Sequence, residues 1–555
     1  MANHTVGVHE ASERFVDEYA TLDPIAATYA GLTGYESEMT DFSPDGDRQR
    51  AELNARYLRQ IEAMEPADDS ERAAKAHFLE RVGIDVELHE AGLTTGHLNV
   101  IASTVQNVRA IFDLLPTETA EDWAGVRTLL GKVPAAVDGI KAGLLDAARR
   151  DQLVALRQIT KVAEQCDTWS GADGESFFAA FVKDAPEPES TGLRSAADKA
   201  AEAYGELARF LRAEIADKAP KKDAVGEDVY KLWSRYFLGA RLDPHEAYEW
   251  GWTEFFRVEK EMIAVAERIK AGGSLAEAAA ALDADPRYRV QGRREFEQWM
   301  QQLSDNALSE LRGVHFDIPD ALMRLDCKIA PDGGGVGAYY TGPSDDFSRA
   351  GAMWWSVPSG RAEFSTWREV STVYHEGVPG HHLQIATGVA EAESLNRYQR
   401  LFGWVSGHGE GWALYAERLM QELGYLTDDG DLMGMLDAHL FRAARVIIDI
   451  GMHLELEIPA GSGFHDGERW TPELGLEFML TRTITDAEHV HDEIDRYLGW
   501  PGQAPSYKLG ERYWLQLRDE ARRRDGESFD IKDFHMRALR LGSMGLDNLG
   551  ASLRG

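Results

Sequence analysis

The sequence is poor in sulfur and in positive charge, and it has no long apolar run. Its 555 residues hold two cysteines, Cys166 and Cys327, far apart and in no C-x-x-C pair. That excludes a disulfide framework and a thiolate zinc site, and it points to a reducing compartment. No stretch approaches the roughly 20 apolar residues that span a bilayer. The N-terminus, MANHTVGVHEASERFVDEY, lacks the basic start and apolar core of a signal peptide. A cytoplasmic location is the expectation. Lys and Arg number 59 against 94 Asp and Glu, a net charge of −35. A surface of that sign repels phosphate backbones and anionic lipid, so neither nucleic acid nor membrane is the expected partner.

What remains is the composition of a folded chain, 44% hydrophobic and 28% charged. The length suits several domains or one large two-lobed enzyme. Helical period dominates, first in residues 8–32 and then in an Ala-, Glu-, Arg- and Leu-rich stretch from about 46 to 218. KAPKKDAVGED, 218–228, is a charged, apolar-poor break. It suggests an N-terminal helical lobe over 1–220 and a second lobe over 221–555. Helices resume from about 242 to 312. Between 313 and 363, β-branched and aromatic residues mix with Gly and Pro, which predicts a few strands joined by turns. After 364 helices return. There is no internal repeat and no low-complexity tract. GGG at 333–335 reads as a hairpin turn, since no GK[ST] or third spaced glycine follows. GSMG at 542–545 lacks the first glycine of a serine-hydrolase elbow.

Nine of the 17 histidines fall between 375 and 491. The densest group is YHEGVPGHHLQ, 374–384. His375-Glu376 opens as a zinc-peptidase helix opens, but Pro379 stands where the second histidine belongs. Thr366 and Glu369 form a T-x-x-E capping-box pattern, so a helix should start near 366 and carry His375-Glu376 near its far end. Pro379 then removes a backbone donor and demands a kink or bulge. On an unbroken helix His381 points about 240° away from His375, and His382 sits about 10 Å along the axis. A bulge absorbing two residues would instead place His381 at the i+4 position. Both histidines stay open as the second ligand.

A third ligand is expected from GHGEGWALYAERLMQEL, 407–423, with Glu410 at the helix start and Glu417, two turns on, as the alternative. Without the upstream pair, Glu410 would read as an acid complementing the helix dipole. HVH at 489–491 diverges by about 200° on a helix and is read as no metal site. RAARVIIDIGMH, 442–453, is an amphipathic helix with Arg442, Arg445 and Asp449 on one polar face. Arg445 there is either part of an ion-pair stripe or a bidentate fork for a peptide carboxylate.

HEGVPGHHLQ followed by GEGWALYAE resembles the bacterial family catalogued as domain of unknown function 885. AYYTGPSDDFSRAGAMWW, RVIIDIGMH and RYLGWPGQAPSYKLG resemble it too, so the likeness runs over most of the chain. That family is distantly similar to helical zinc peptidases of the thimet-oligopeptidase and carboxypeptidase Taq type. Those carry HExGH on one helix and a glutamate on the next, in a deep cleft between two helical lobes. His375, Glu376 and Glu410 match that pattern; the inserted residues make the second histidine depart from it.

The resemblance implies a mainly α, two-lobed zinc-peptidase-like fold with a small β-sheet beside the active-site helix. It implies Zn²⁺ held by His375, Glu410 and one of His381 or His382, with Glu376 as general base. By the same analogy Tyr339 or Tyr340 lies on an edge strand that pairs with substrate, and His453 and Tyr507 stabilise an oxyanion. The expected function is hydrolysis of short peptides, with a carboxypeptidase among the options. A zinc hydrolase of a non-peptide amide, or a non-catalytic helical binding protein with a degenerate metal site, are the rivals. A binding protein would need the ligands but not Glu376.

Overall fold

The structure is a computed structural model, and it describes residues 7–186, 190–330, 337–358 and 360–554. Two compact units emerge: Met1–Gly226 with Asp492–Pro501, and Glu227–His491 with Gly502–Gly555. The expected hairpin turn at 333–335 lies outside the described residues.

The first unit is built of helices. Their starts follow local chemistry: Ser43 accepts from the Gly46 N–H at 3.3 Å with Pro44 in the first turn. Thr119 and Asp122 form a capping box at the head of the 30-residue helix Ala120–Arg149. The apolar face of that helix puts Leu129, Leu130, Val133 and Val137 into a core with Phe112, Phe178 and Tyr204.

The second unit is helical with two small sheets. β1 (Arg289–Gln291) pairs antiparallel with β5 (Glu363–Ser365). β2 (Leu325–Ile329), β3 (Gly337–Thr341) and β4 (Gly351–Ser356) form a second sheet in the order β2-β4-β3. β2 is parallel to β4 and β3 antiparallel to it, with Tyr339 opposite Trp354 and Tyr340 opposite Met353. β3 is therefore an edge strand. β1 falls where helix was expected. Its three residues carry no period of their own and extend only by pairing Val290 with Phe364.

Five long helices carry much of the rest: Pro244–Ile269, Arg293–Leu311, Ser406–Glu422, Asp429–Leu454 and Ser506–Asp525. Ser406–Glu422 meets Ser506–Asp525 backbone to backbone. A Cβ on Gly411 would stand 2.4 Å from the Gly510 carbonyl carbon, so only glycine permits this approach. Both cysteines are buried free thiols. Among the described residues, no helix is long and apolar enough to cross a membrane.

Candidate metal centre

The centre begins at a helix end. Thr366–Arg368 is a 3-10 turn, and the α-helix proper is Val370–Glu376. The expected capping box does not form. Glu369 accepts from the Trp355 indole N–H at 3.0 Å instead, because β4 packs against this turn. The helix closes with Gly377 N–H on the Val373 carbonyl at 2.9 Å.

Then the spacing changes. Gly380 N–H reaches six residues back, to the Tyr374 carbonyl, at 3.0 Å. An α-helix would reach four back, so the chain has absorbed two extra residues. The Val378–Pro379 peptide inside this bulge is cis. A Cβ on Gly380 would lie 1.9 Å from the His375 carbonyl oxygen, which leaves room for glycine alone. The Trp412 indole donates to the Pro379 carbonyl at 2.8 Å and ties the bulge to the next helix. A new helix, His381–Ala390, starts at once.

The bulge turns His381, not His382, toward His375. The two imidazole rings are 4.9 Å apart and nearly perpendicular. Glu410 on Ser406–Glu422 completes the group. Its Oε2 lies 3.3 Å from His375 Nε2 and 3.5 Å from His381 Nε2. One donor atom from each of the three residues falls within 4.8 Å of the others. His382 points elsewhere, as a neighbour about 100° around the helix must. Its Nε2–H donates to the Leu322 carbonyl at 2.8 Å and its Nδ1 accepts from the Tyr340 hydroxyl at 2.9 Å. Burial lowers its pKa to about 4.

Glu417 lies on the far side of His375, away from the cluster. Its Oε1 is 2.8 Å from His375 Nδ1, and Ser371 donates to its Oε2. A carboxylate there holds the proton on Nδ1, so Nε2, facing Glu410 and His381, is the nitrogen that a metal would take by displacing its proton. Behind it, the fully buried His439 has Nε2 at 3.6 Å from Glu417 Oε2. His439 Nδ1 accepts from Lys508 Nζ at 2.9 Å. Lys508, also fully buried, pairs with Glu254 at 3.0 Å and with Glu511. Burial and the Lys508 charge hold His439 well below the usual imidazole range, so it is neutral.

Burial would lower His375, but hydrogen bonds to Glu410 and Glu417 bring it up to about 9. Glu410 is held well below the carboxylate range by the two histidines, against the effect of burial. Glu376 is buried beside them. Burial raises its pKa; the charges of His375, His381 and Arg442 oppose that, and Glu410 adds to it.

The other expected site residues are placed as follows. Tyr339 is half-exposed on edge strand β3 and stacks on Trp354. Tyr340 gives its hydroxyl to His382. Tyr507 is half-buried under two guanidinium groups, Arg442 at 5.7 Å and Arg445 at 5.0 Å. Arg445 is buried between Phe441 and Tyr507. His453 lies 14 residues beyond His439 on one helix, about 21 Å along its axis. Its ring packs on Tyr230, whose hydroxyl donates to Asp449 at 2.7 Å.

His439, Lys508 and Arg442 were not expected around the centre, and Glu417 was expected only as an alternative ligand to Glu410, not as the partner of His375 Nδ1. A sequence signal exists for two of them: Glu417 is seven residues past Glu410, on the same helix face, and Arg442 is one turn past His439.

Fold and site together define a mainly helical protein with a buried two-histidine, one-carboxylate cluster. The chain belongs to the family described as bacterial protein of unknown function (DUF885), whose model matches residues 24–553. Two solved structures share the fold. One, named a putative lipoprotein from Colwellia psychrerythraea, is 22% identical with a TM-score of 0.85, covering 99% of both chains. The other, a putative lipoprotein of unknown function from Shewanella oneidensis, is 16% identical with a TM-score of 0.76. It covers 99% of this chain and 100% of its own. None of the curated proteins matches the chain.

Proposed function

We propose that this protein is a metal-dependent hydrolase of short peptides or peptide-like amides. The observation that carries the reading is the convergence of His375, His381 and Glu410 donors within 4.8 Å, with Glu417 bracing His375 from behind. Two imidazole nitrogens and one carboxylate are a ligand set that suits zinc and leaves a position open for chemistry. Held there, zinc supplies a Lewis acid for a carbonyl oxygen and lowers the pKa of a water.

The chain's own residues do the rest. Glu376 follows His375 directly and is buried at the cluster, so its carboxylate accepts a proton from water and returns it to the leaving nitrogen. Burial raises its proton affinity, which brings a carboxylate closer to the range where it works as a base. Glu417 fixes the orientation of His375, and the buried His439 and Lys508 support Glu417. β3 lies at the edge of its sheet, the position from which an extended substrate can be paired, with Tyr339 exposed on it. A short peptide is the partner on this reading.

The test is Glu376→Gln. This variant should fold normally and keep its zinc, measured without a histidine tag. It should lose amine release from a short-peptide pool by at least about a hundredfold. An unchanged rate in the zinc-replete variant removes Glu376 as the base. A wild-type protein that cleaves no peptide would favour a non-peptide amide or a binding role.

A further inference from the structure

Arg442 lies on the helix Asp429–Leu454, one turn past His439. The arginines around it are neutralised. Arg257 pairs with Glu254 at 2.7 Å, Arg418 with Glu261 at 2.9 Å and Arg368 with Asp437 at 3.2 Å. Arg442 differs. It is half-buried, its Nη1 donates only to the carbonyl of Ala438 on its own helix at 3.3 Å, and its Nε is buried with no partner. Among the described residues no carboxylate stands within ion-pair distance of it. A half-buried guanidinium without a counter-ion is incompletely solvated, and an incoming anion relieves that cost.

Its surroundings say where the anion would come from. Arg442 stands one turn past His439, whose Nε2 is 3.6 Å from Glu417 Oε2, so it lies on the stretch of helix that backs the cluster, and its charge acts on both Glu376 and Glu417. The Tyr507 ring supports its guanidinium at 5.7 Å and that of Arg445 at 5.0 Å. Two guanidinium groups thus lie against one aromatic ring in a chain whose net charge is −35. A planar guanidinium matches a carboxylate with two parallel hydrogen bonds.

We propose that Arg442 anchors the free carboxylate at the C-terminal end of the substrate, so that the site takes peptides and N-acyl amino acids by their acid end. The proposal rests on the hydrolase reading of the cluster, and it selects chain ends over interior bonds.

The probes are benzoyl-glycyl-phenylalanine and its C-terminal amide, offered to the zinc-loaded protein. Calorimetry on Glu376→Gln measures binding without turnover. The acid should bind about 10- to 100-fold tighter than the amide, the range of a charge-assisted hydrogen bond. Adding Arg442→Gln should remove most of that gap, and Arg442→Lys should remove part of it. With active enzyme, Arg442→Gln should raise KM for the acid and leave the amide nearly unchanged. Equal binding of acid and amide, binding of neither, or a gap that survives Arg442→Gln overturns the anchor. So does an equal loss on both probes, or a loss of zinc, since the cation would then serve Glu376 and the cluster. If Arg442→Gln melts early, Arg442→Lys decides by whether the gap narrows. Selective binding of the acid by a protein that hydrolyses nothing would keep the anchor and sink the hydrolase reading.

Discussion

The two units bury different things. Met1–Gly226 closes over Leu, Val, Ile and Ala, with Phe112, Phe178 and Tyr204 in ring contact. Of the described Asp, Glu, Lys and Arg side chains of this unit, Arg81 and, on Asp492–Pro501, Glu493 are buried, paired with Glu80 and with Arg496 and Tyr497. The second unit buries His375, Glu376, His381, Glu417, His439, Lys508 and Glu511 within one connected region. Apolar area alone can stabilise the first kind of core. The second kind is stable only if every charge has a partner, and replacing such networks by apolar residues is often neutral or better. A network of this kind confined to one unit is what the proposed hydrolase reading would require.

The sharpest way to break this contrast is to remove one donor. His375→Ala or Glu410→Ala should abolish stoichiometric zinc, while His382→Ala should keep a full equivalent, as read by metal analysis of untagged protein. Zinc retained by either of the first two variants, or lost in the third, would undo the assignment of the cluster.

Next in size is a cavity in the apolar core. Phe112→Ala should cost about 3–5 kcal/mol of stability. The folded variant should still bind zinc as the parent does, since its lesion lies in the first unit. A change in zinc affinity of the folded variant would show that the two cores are not separate in function.

Glu417→Gln tests the support behind the ligands. It should weaken zinc about 10- to 100-fold, the usual effect of removing a carboxylate that orients a histidine. An unchanged affinity in a competition titration would reduce Glu417 to a packing residue.

The smallest effect at neutral pH should come from acid. Burial pushes Glu254 up, but hydrogen bonds and charges of Arg257 and Lys508 bring it down to about 2, from 4.5. A carboxylate depressed in the folded state stabilises the protein above its unfolded pKa and loses that contribution as pH falls toward the folded one. The difference in denaturation midpoint between the parent and Glu254→Gln should therefore be full near pH 6 and shrink from about pH 4.5 downward. A difference that stays constant across that window would contradict it.

Several of these features were legible before any coordinates. Helix content followed from period and composition, and the strands of 325–356 from β-branched and aromatic residues between turns. The need for a kink or bulge followed from Pro379 alone, because a proline in that turn cannot continue the helix; that it absorbs two residues was one option. Glu410 was found because a carboxylate opens the next helix after an HE pair. These are short-range facts, decided by spacing along one or two elements.

Packing decided the rest. Whether His381 or His382 joined His375 depended on how Gly380 sits against the His375 carbonyl and on Trp412 holding Pro379 from another helix. The capping pattern at Thr366 failed because Trp355, on a strand, took Glu369 first. β1 exists only opposite β5, and Asp492–Pro501 belongs to the first unit although it is flanked by the second. Glu417, His439 and Lys508 stand up to 91 residues apart in sequence and meet only because three helices bring their polar faces to one place. Sequence by itself determined which residues could serve as metal donors and base, since that is chemistry and local period. Which of them converge was decided by the tertiary structure. Convergence depends on helix-to-helix distances set by residues as small as Gly411 and Gly510, and no local pattern encodes them.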